Sequence, residues 1–218
     1  MKTARILIAD DHELVRDGIK ARLEKQPGWT VCAETNDGRR AVELAIRFKP
    51  DVVLLDIGMP ELNGIEAARQ IRQACPDIEV LIITLQDSDD QIRAALAAGA
   101  RGFILKTDAA QWITAAVQAL LEHKPFFTGR VSSLVLEGFL DSAHTGNEGA
   151  GGRSRLTMRE REIVQLLAEA HTSKEIATRL GVSVKTIEAH RANVMRKLDL
   201  HSVAELVRYA VRNKIVEP

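Results

Sequence analysis

The chain has 218 residues, 45% of them hydrophobic and 28% charged, the composition of one large or two modest globular domains. No apolar run approaches the ~20 residues of a membrane span, Met1 to Arg5 lead into a strand without a signal peptide, and Cys32 and Cys75 lack partners at metal spacing; this favours two buried free thiols over a disulfide or a zinc site, and a cytoplasmic protein is expected. The net charge of zero hides a split, with 17 basic and 22 acidic side chains in residues 1–152 against 13 and 8 in residues 153–218, which points to a metal or phosphate site in the first part and nucleic acid in the second.

Strand-like and helix-like segments alternate from residue 5 to about 121. Ile6, Leu7, Ile8 and Ala9 run into Asp10 and Asp11, and Val52 to Leu55 run into Asp56. Val80 to Ile83 run into Thr84, and Phe103 to Leu105 run into Lys106. Short apolar runs of this kind read as central strands of a parallel sheet. Helices are expected near 12–25, 38–49, 64–74, 89–98 and 109–121, with Pro50, Pro76 and Gly99 as stops and Asp108 as the cap of the last. Five βα units give an α/β fold, a five-stranded doubly wound parallel sheet with helices on both faces.

Ligands of such sheets bind outside the carboxyl ends of the strands, so three aspartates, one hydroxyl and one ammonium should converge. Three close carboxylates repel one another unless a cation joins them. Magnesium takes oxygen ligands from one or two carboxylates, waters and phosphate oxygens. Asp10, Asp11 and Asp56 supply that set, with the backbone carbonyl of Gly58 as a further donor. A carboxylate also serves as a nucleophile in phosphoryl transfer, which depends mostly on positioning and on cations. Lys106 is the second cation, and Thr84 can donate a hydrogen bond to a phosphoryl oxygen.

The stretch from Leu55 to Gly64, LDIGMPELNG, resembles the phospho-acceptor motif of bacterial two-component response-regulator receiver domains. The paired acids, Thr84 and the GFILK stretch ending at Lys106 resemble the rest of that signature. The resemblance covers residues 5–121. It implies a flavodoxin-like receiver in which Asp56 accepts a phosphoryl group from a phosphohistidine of a sensor histidine kinase. It implies that Asp11, Asp56 and the Gly58 carbonyl hold Mg2+, with Asp10 acting mostly through water, and that Thr84 and Phe103 form the switch pair. Phe103 has no hydroxyl, and core packing explains it equally well. Gly58 and Gln86 stand at positions that tune phosphate lifetime in the family.

The apolar content of residues 125–140, with Phe126, Phe127, Val131 and Leu134 among them, argues for a docked helix. Residues 141–155 are rich in Gly and Ser, contain no large apolar side chain and read as a flexible linker. The domains expected are thus 1–121, a connection over 122–155, and 156–218. In the last, Thr157 with Glu160, Thr172 with Glu175 and Ser202 with Glu205 each fit a reciprocal capping box, and Ser183 is a fourth start signal. Gly181 supplies the tight turn between two helices. An all-α unit of four short helices follows, with a helix-turn-helix over 174–198.

In the helix from Val184 to Leu198, the residues Ile187, Val194 and Leu198 form one stripe toward the core, with Met195 beside it. Lys185, Thr186, Glu188, Ala189, Arg191 and Asn193 face outward. Small residues between polar ones let such a helix enter a major groove. Glu188 can accept from cytosine, Arg191 can bind guanine or a phosphate, Asn193 either, and Lys185 and Thr186 suit phosphates. The stretches LTMRERE at 156–162, KEIA at 174–177 and SVKTIEAHR at 183–191 are similar to the LuxR-type helix-turn-helix. With the receiver, this resembles the NarL/FixJ class of transcriptional regulators. The resemblance implies binding to promoter DNA as a homodimer, a phosphate or packing role for His190, and a dimer contact on the last helix at Ala204, Val207 and Val211, some of which core packing explains as well. Ala170 departs from the family, where a Gly often ends the first helix, and a less sharp turn is expected there.

Two other classes fit parts of this pattern. A magnesium phosphohydrolase with an aspartyl nucleophile would turn over an external phosphate ester; Gly58 stands where its second acid would follow Asp56. A phospho-relay or protein-binding module would have no DNA affinity in either phosphorylation state.

Overall fold

The structure is a computed structural model that describes residues 3–85, 88–129, 131–133, 156–213 and 215–216. Gln86, the 134–140 part of the expected docked helix and the expected linker over 141–155 lie outside the described residues. The chain folds as two compact units, one built on an N-terminal sheet and one on C-terminal helices.

The first unit runs β1 (Ala4–Ala9), α1 (Glu13–Leu23), β2 (Trp29–Thr35), α2 (Gly38–Phe48), β3 (Val52–Asp56), α3 (Gly64–Ala74), β4 (Glu79–Thr84), α4 (Asp89–Ala97), β5 (Gly102–Leu105), α5 (Lys106–Leu121) and β6 (Phe126–Phe127). The strands lie in the order β2-β1-β3-β4-β5-β6, and every pairing is parallel. Side chains alternate across a strand. Ile6, Ile8, Val52, Leu54, Leu81, Ile83 and Ile104 therefore share one face with Ile19 and Leu23 of α1 and Ile113, Val117 and Leu120 of α5. Leu7, Val53, Leu55 and Ile82 are equally buried and fall on the opposite face, where α2 and α3 pack. Burial on both faces is why these strands read as unbroken apolar runs.

Three details of this unit differ from the sequence reading. The sheet has six strands, not five: Phe126 and Phe127, expected in a docked helix, pair with Gly102 and Phe103. The Phe126 N–H donates to the Arg101 carbonyl (3.0 Å), and its ring packs 6.2 Å from that of Trp112, so two aromatic side chains gain more from the sheet edge than from a helix start. Asp108 is not the cap of α5. The helix begins at Lys106, directly after β5, and Asp108 sits inside its first turn, where its charge still favours the helix dipole. The two thiols are half-buried, Cys32 at a register shift of β2 and Cys75 at the end of α3.

The second unit holds α6 (Met158–Ala168), α7 (Ser173–Arg179), α8 (Val184–Lys197) and α9 (Val203–Arg212). Thr157 and Thr172 form reciprocal capping boxes with Glu160 and Glu175. Ser183 accepts from the Thr186 N–H. In the third expected box Ser202 accepts from the Glu205 N–H, while the Glu205 carboxylate takes the His201 N–H (2.6 Å) as its main backbone donor. Ile163, Leu166, Ile176, Ile187, Val194, Leu206 and Ala210 close a core among the four helices.

The turn after α6 is sharp despite its alanine. Ala170 has φ of 65°, its N–H donates to the Leu167 carbonyl, and the His171 N–H donates to the Leu166 carbonyl. That bond pair is the Schellman ending, normally built on glycine. An L-residue held left-handed costs about 1–2 kcal/mol. Ala170→Gly is therefore expected to stabilise this unit by about 1 kcal/mol, read as a rise in the urea midpoint; a fall would show that glycine's extra freedom in the unfolded chain outweighs the relieved strain.

Candidate functional site

The strand order reverses between β1 and β3, the crevice where open parallel sheets bind ligands. Asp10 follows β1 and Asp56 ends β3, and both are almost fully buried. Lys106 opens α5 straight after β5, which aims its side chain back across the strand ends. Its Nζ donates to Asp10 Oδ1 (2.9 Å) and Asp56 Oδ2 (2.8 Å), and its side chain is 4% exposed. Two carboxylates 46 positions apart thus share one ammonium, which comes from a residue 50 positions further along the chain. Thr84, at the end of β4, is buried at the same edge of the sheet. Gly58 lies half-buried in the loop that leaves β3. Phe103 is 1% exposed in β5, packed as a core side chain.

The electrostatics follow from this burial. Desolvation raises the Asp56 carboxyl, the neighbouring Asp10 and Asp11 charges push it the same way, and the hydrogen bond and charge of Lys106 oppose them; its pKa stands at about 6. Burial disfavours the Lys106 ammonium, but the hydrogen bonds and charges of Asp56 and Asp10 outweigh that, and its pKa is raised. Asp56 is thus a raised carboxyl held beside a buried ammonium that its carboxylate neighbours keep protonated.

Asp11 is the outer member of the acidic set. Its Oδ1 lies 2.6 Å from His12 Nδ1. Asp10, Asp11, His12 and Asp56 each offer one ligand atom, all within 4.8 Å of one another. Carboxylate oxygens at this spacing, partly open to water at Asp11, suit a hard divalent cation such as magnesium. The residues therefore fit the ion that the sequence implied.

Two contributors escaped the sequence reading as site residues. His12 stands just before α1 and turns its ring toward the acids, while its N–H donates to Asp10 Oδ1 (2.8 Å); its only signal was its position after the paired acids. Gly64 starts α3, and its N–H donates to the Ile57 carbonyl (3.1 Å). A Cβ on Gly64 would lie 1.9 Å from the Asp56 carbonyl oxygen. The bare glycine lets the helix start press directly on the backbone of Asp56.

In the second unit α7, the turn at Gly181 (φ 64°) and α8 form the helix-turn-helix. Ile187 and Val194 are buried, and Met195 and Leu198 pack against the same core. Lys185, Thr186, Glu188, Ala189 and Asn193 are exposed on the outer face, with His190 and Arg191 half-exposed beside them. Lys197, at the end of α8, is tied to Glu160 (2.8 Å), whose carboxyl this hydrogen bond holds below its usual range. On α9, Ala204 is exposed and Val207 and Val211 are half-buried, spaced three and four apart on one stripe. Leu206 and Ala210 take the core positions instead.

Residues 6–118 match the response regulator receiver domain, and residues 154–210 match the luxR family of bacterial regulatory proteins. The chain is 38% identical over 212 residues to the transcriptional regulatory protein LiaR of Bacillus subtilis, covering 97% of this chain and 99% of that one. A solved RcsB response regulator of Salmonella typhimurium is similar at a TM-score of 0.64 and 25% identity, covering 98% of this chain and 99% of that one. A structure of two RcsB dimers bound to two parallel DNAs is similar at a TM-score of 0.57 and 26% identity, covering 95% and 98%.

Proposed function

The chain belongs to the two-component response regulators of the NarL/FixJ class, transcriptional regulators with a receiver and a LuxR-type DNA-binding domain, and from that premise we propose that Asp56 is the phospho-acceptor of a sensor histidine kinase and that its phosphorylation controls how a dimer grips promoter DNA. The observation that carries this reading is the shared ammonium: Lys106 joins Asp10 to Asp56 in the crevice where the sheet order reverses.

The Asp56 carboxylate attacks phosphorus, the P–N bond to the kinase imidazole breaks, and the electron pair returns to the imidazole. Asp11, Asp56 and the Gly58 carbonyl would hold Mg2+, with Asp10 acting mostly through water, and the ion would supply positive charge to the phosphoryl oxygens. Lys106 holds the nucleophile and pairs with the incoming phosphoryl charge. The Thr84 hydroxyl donates to a phosphoryl oxygen. Thr84 and Phe103 rearrange together, and the buried ring of Phe103 makes that movement a repacking step between two discrete states.

Residues 1–121 act as the receiver, 122–155 as the connection and 156–218 as the DNA-binding domain. Helix α8 enters the major groove; Glu188, Arg191 and Asn193 reach base edges or phosphates, Lys185, Thr186 and His190 meet the backbone, and Ala189 allows close approach. Ala204, Val207 and Val211 make the dimer contact on DNA, which spaces two half-sites about one helical turn apart.

Acetyl phosphate with magnesium is expected to add an acid-labile, hydroxylamine-sensitive phosphoryl group to Asp56, and Asp56→Asn to remove it; labelling of the variant at equal stoichiometry would reject the site. The pH dependence has a definite sign. Only the ionised carboxylate attacks, so in metal-free conditions the reactive fraction falls about tenfold per unit below a pKa of about 6. The same proton competes with the cation, so magnesium affinity falls over that range too. For DNA, Arg191→Ala should weaken binding evenly across sequences and reduce the salt slope by about one if Arg191 meets a phosphate. An unchanged slope would leave Arg191 a base reader or a solvated side chain.

A further inference from the structure

We infer that β6 is a strap laid along the backbone of Phe103 and latched by His123 to the buried Glu79 carboxyl, and that phosphorylation of Asp56 loosens it. This adds regulation to the preceding reading and rests on it for the movement of Phe103. The latch stands at the amino ends of the strands, opposite the pocket. Glu79 opens β4, and its side chain is 5% exposed. Its Oε1 accepts from His123 Nδ1 (2.9 Å) and from Arg101 Nη1 (3.2 Å), and Arg101 Nη2 donates to the His123 carbonyl (2.5 Å). His123 lies between α5 and β6, so these bonds fix the point at which the chain leaves the helix for the strap.

Three features leave this latch poised to open. His123 has φ of 57°, its N–H donates to the Leu120 carbonyl (2.8 Å), and the Lys124 N–H donates to the Ala119 carbonyl (2.9 Å). Glycine normally serves that helix ending, and an L-residue held left-handed there is strained; the latch is what the imidazole adds. Glu79 Oε2 is buried without a hydrogen-bond partner among the described residues, a standing cost of the docked arrangement. The strap itself has two residues, both half-buried, so it depends on the Trp112 ring beside it and on Ser132 Oγ, which donates to the Phe127 carbonyl (2.9 Å). Strain, an unmet acceptor and a short ladder bring the docked and lifted states close in free energy, as a two-state element requires. The ladder also ties the strap to the pocket. Phe127 pairs with Phe103 and Phe126 with Gly102. The Phe103 side chain is packed on all sides, so its repacking shifts the backbone on which the strap lies. Glu79 and Thr84 are the two ends of one strand, which links the latch to the pocket a second time.

The test is amide hydrogen exchange at Phe126 in the full chain, with and without acetyl phosphate and Mg2+, with phosphoryl labelling of Asp56 measured in the same samples. The Phe126 N–H donates to the Arg101 carbonyl and is protected only while the strap is docked. Labelling should speed its exchange roughly tenfold. His123→Gly removes the latch and keeps the helix ending; it should speed that exchange by a similar factor without phosphate and leave the urea midpoint no lower than wild type. Glu79→Gln, which leaves the His123 backbone as it is, should loosen the strap in the same way. Labelled Asp56 with unchanged exchange at Phe126, or wild-type exchange in both variants, would overturn the inference and leave the phospho-acceptor reading standing. Absence of labelling would overturn both.

Discussion

Gly64→Ala is expected to destabilise the N-terminal unit by about 3 kcal/mol and to abolish phosphoryl labelling of Asp56. The added Cβ would stand 1.9 Å from the Asp56 carbonyl oxygen and 2.7 Å from its carbonyl carbon. Both are backbone atoms of a central strand, paired to β4 on one side, so no side-chain rotation can relieve the clash. Either α3 lifts from the sheet or β3 shifts at its last residue. The first exposes Ala67, Ala68 and Ile71, which are fully buried. The second moves the nucleophile, and about 1 Å of misplacement is enough to cost on the order of a hundredfold in reactivity. Urea unfolding and acetyl phosphate labelling measure the two effects; wild-type values in both would show that the helix start can yield without disturbing Asp56.

Lys106→Met is expected to cost the metal-free protein about 3–5 kcal/mol at neutral pH. The methionine keeps the length of the stem but removes the ammonium from between two buried carboxylates. Leaving them uncompensated is the costly part. Asp56, already at about 6, loses its two lowering influences and moves higher. A carboxyl whose folded pKa is raised favours folding below its unfolded value and loses that contribution as pH rises through the folded value. The defect of Lys106→Met should therefore shrink on acidification from neutral pH toward about 4. Magnesium should rescue it more than it stabilises the wild type, because the ion no longer competes with an ammonium for the same oxygens. The decisive readout is the unfolding midpoint in chelator and in magnesium at two pH values. A pH-independent defect that magnesium leaves untouched would mean that Lys106 acts by packing alone.

Much of this was legible because it is local. Apolar runs ending in charge mark strands of a parallel sheet, and Thr157, Thr172 and Ser183 start helices by hydrogen bonds spanning three residues. The outer face of α8 follows from helical periodicity, since Ile187 and Val194 take the buried side. The errors fall where contacts between distant residues compete with local preference. Asp108 is a good cap in isolation, but β5 carries the chain into the helix three residues earlier, with Leu105 at the cap position. Phe126 and Phe127 fit a helix by composition, but a free edge of β5 and the ring of Trp112 take them into the sheet. Ala170 bends as sharply as a glycine because two hydrogen bonds to α6 hold it there.

The order of residues by itself determined the two-part organisation, the parallel sheet, the strand ends that carry acid, hydroxyl and ammonium, and the face of α8 turned to solvent, because each depends on periodicity or on neighbours within a few positions. Tertiary structure alone decided that one ammonium bridges Asp10 and Asp56, that the His12 ring joins the acids, and that Gly64 must lack a side chain. Those facts depend on distances across three strands and a helix start, and burial there turns ordinary surface charges into a coupled set whose protonation, cation binding and stability move together.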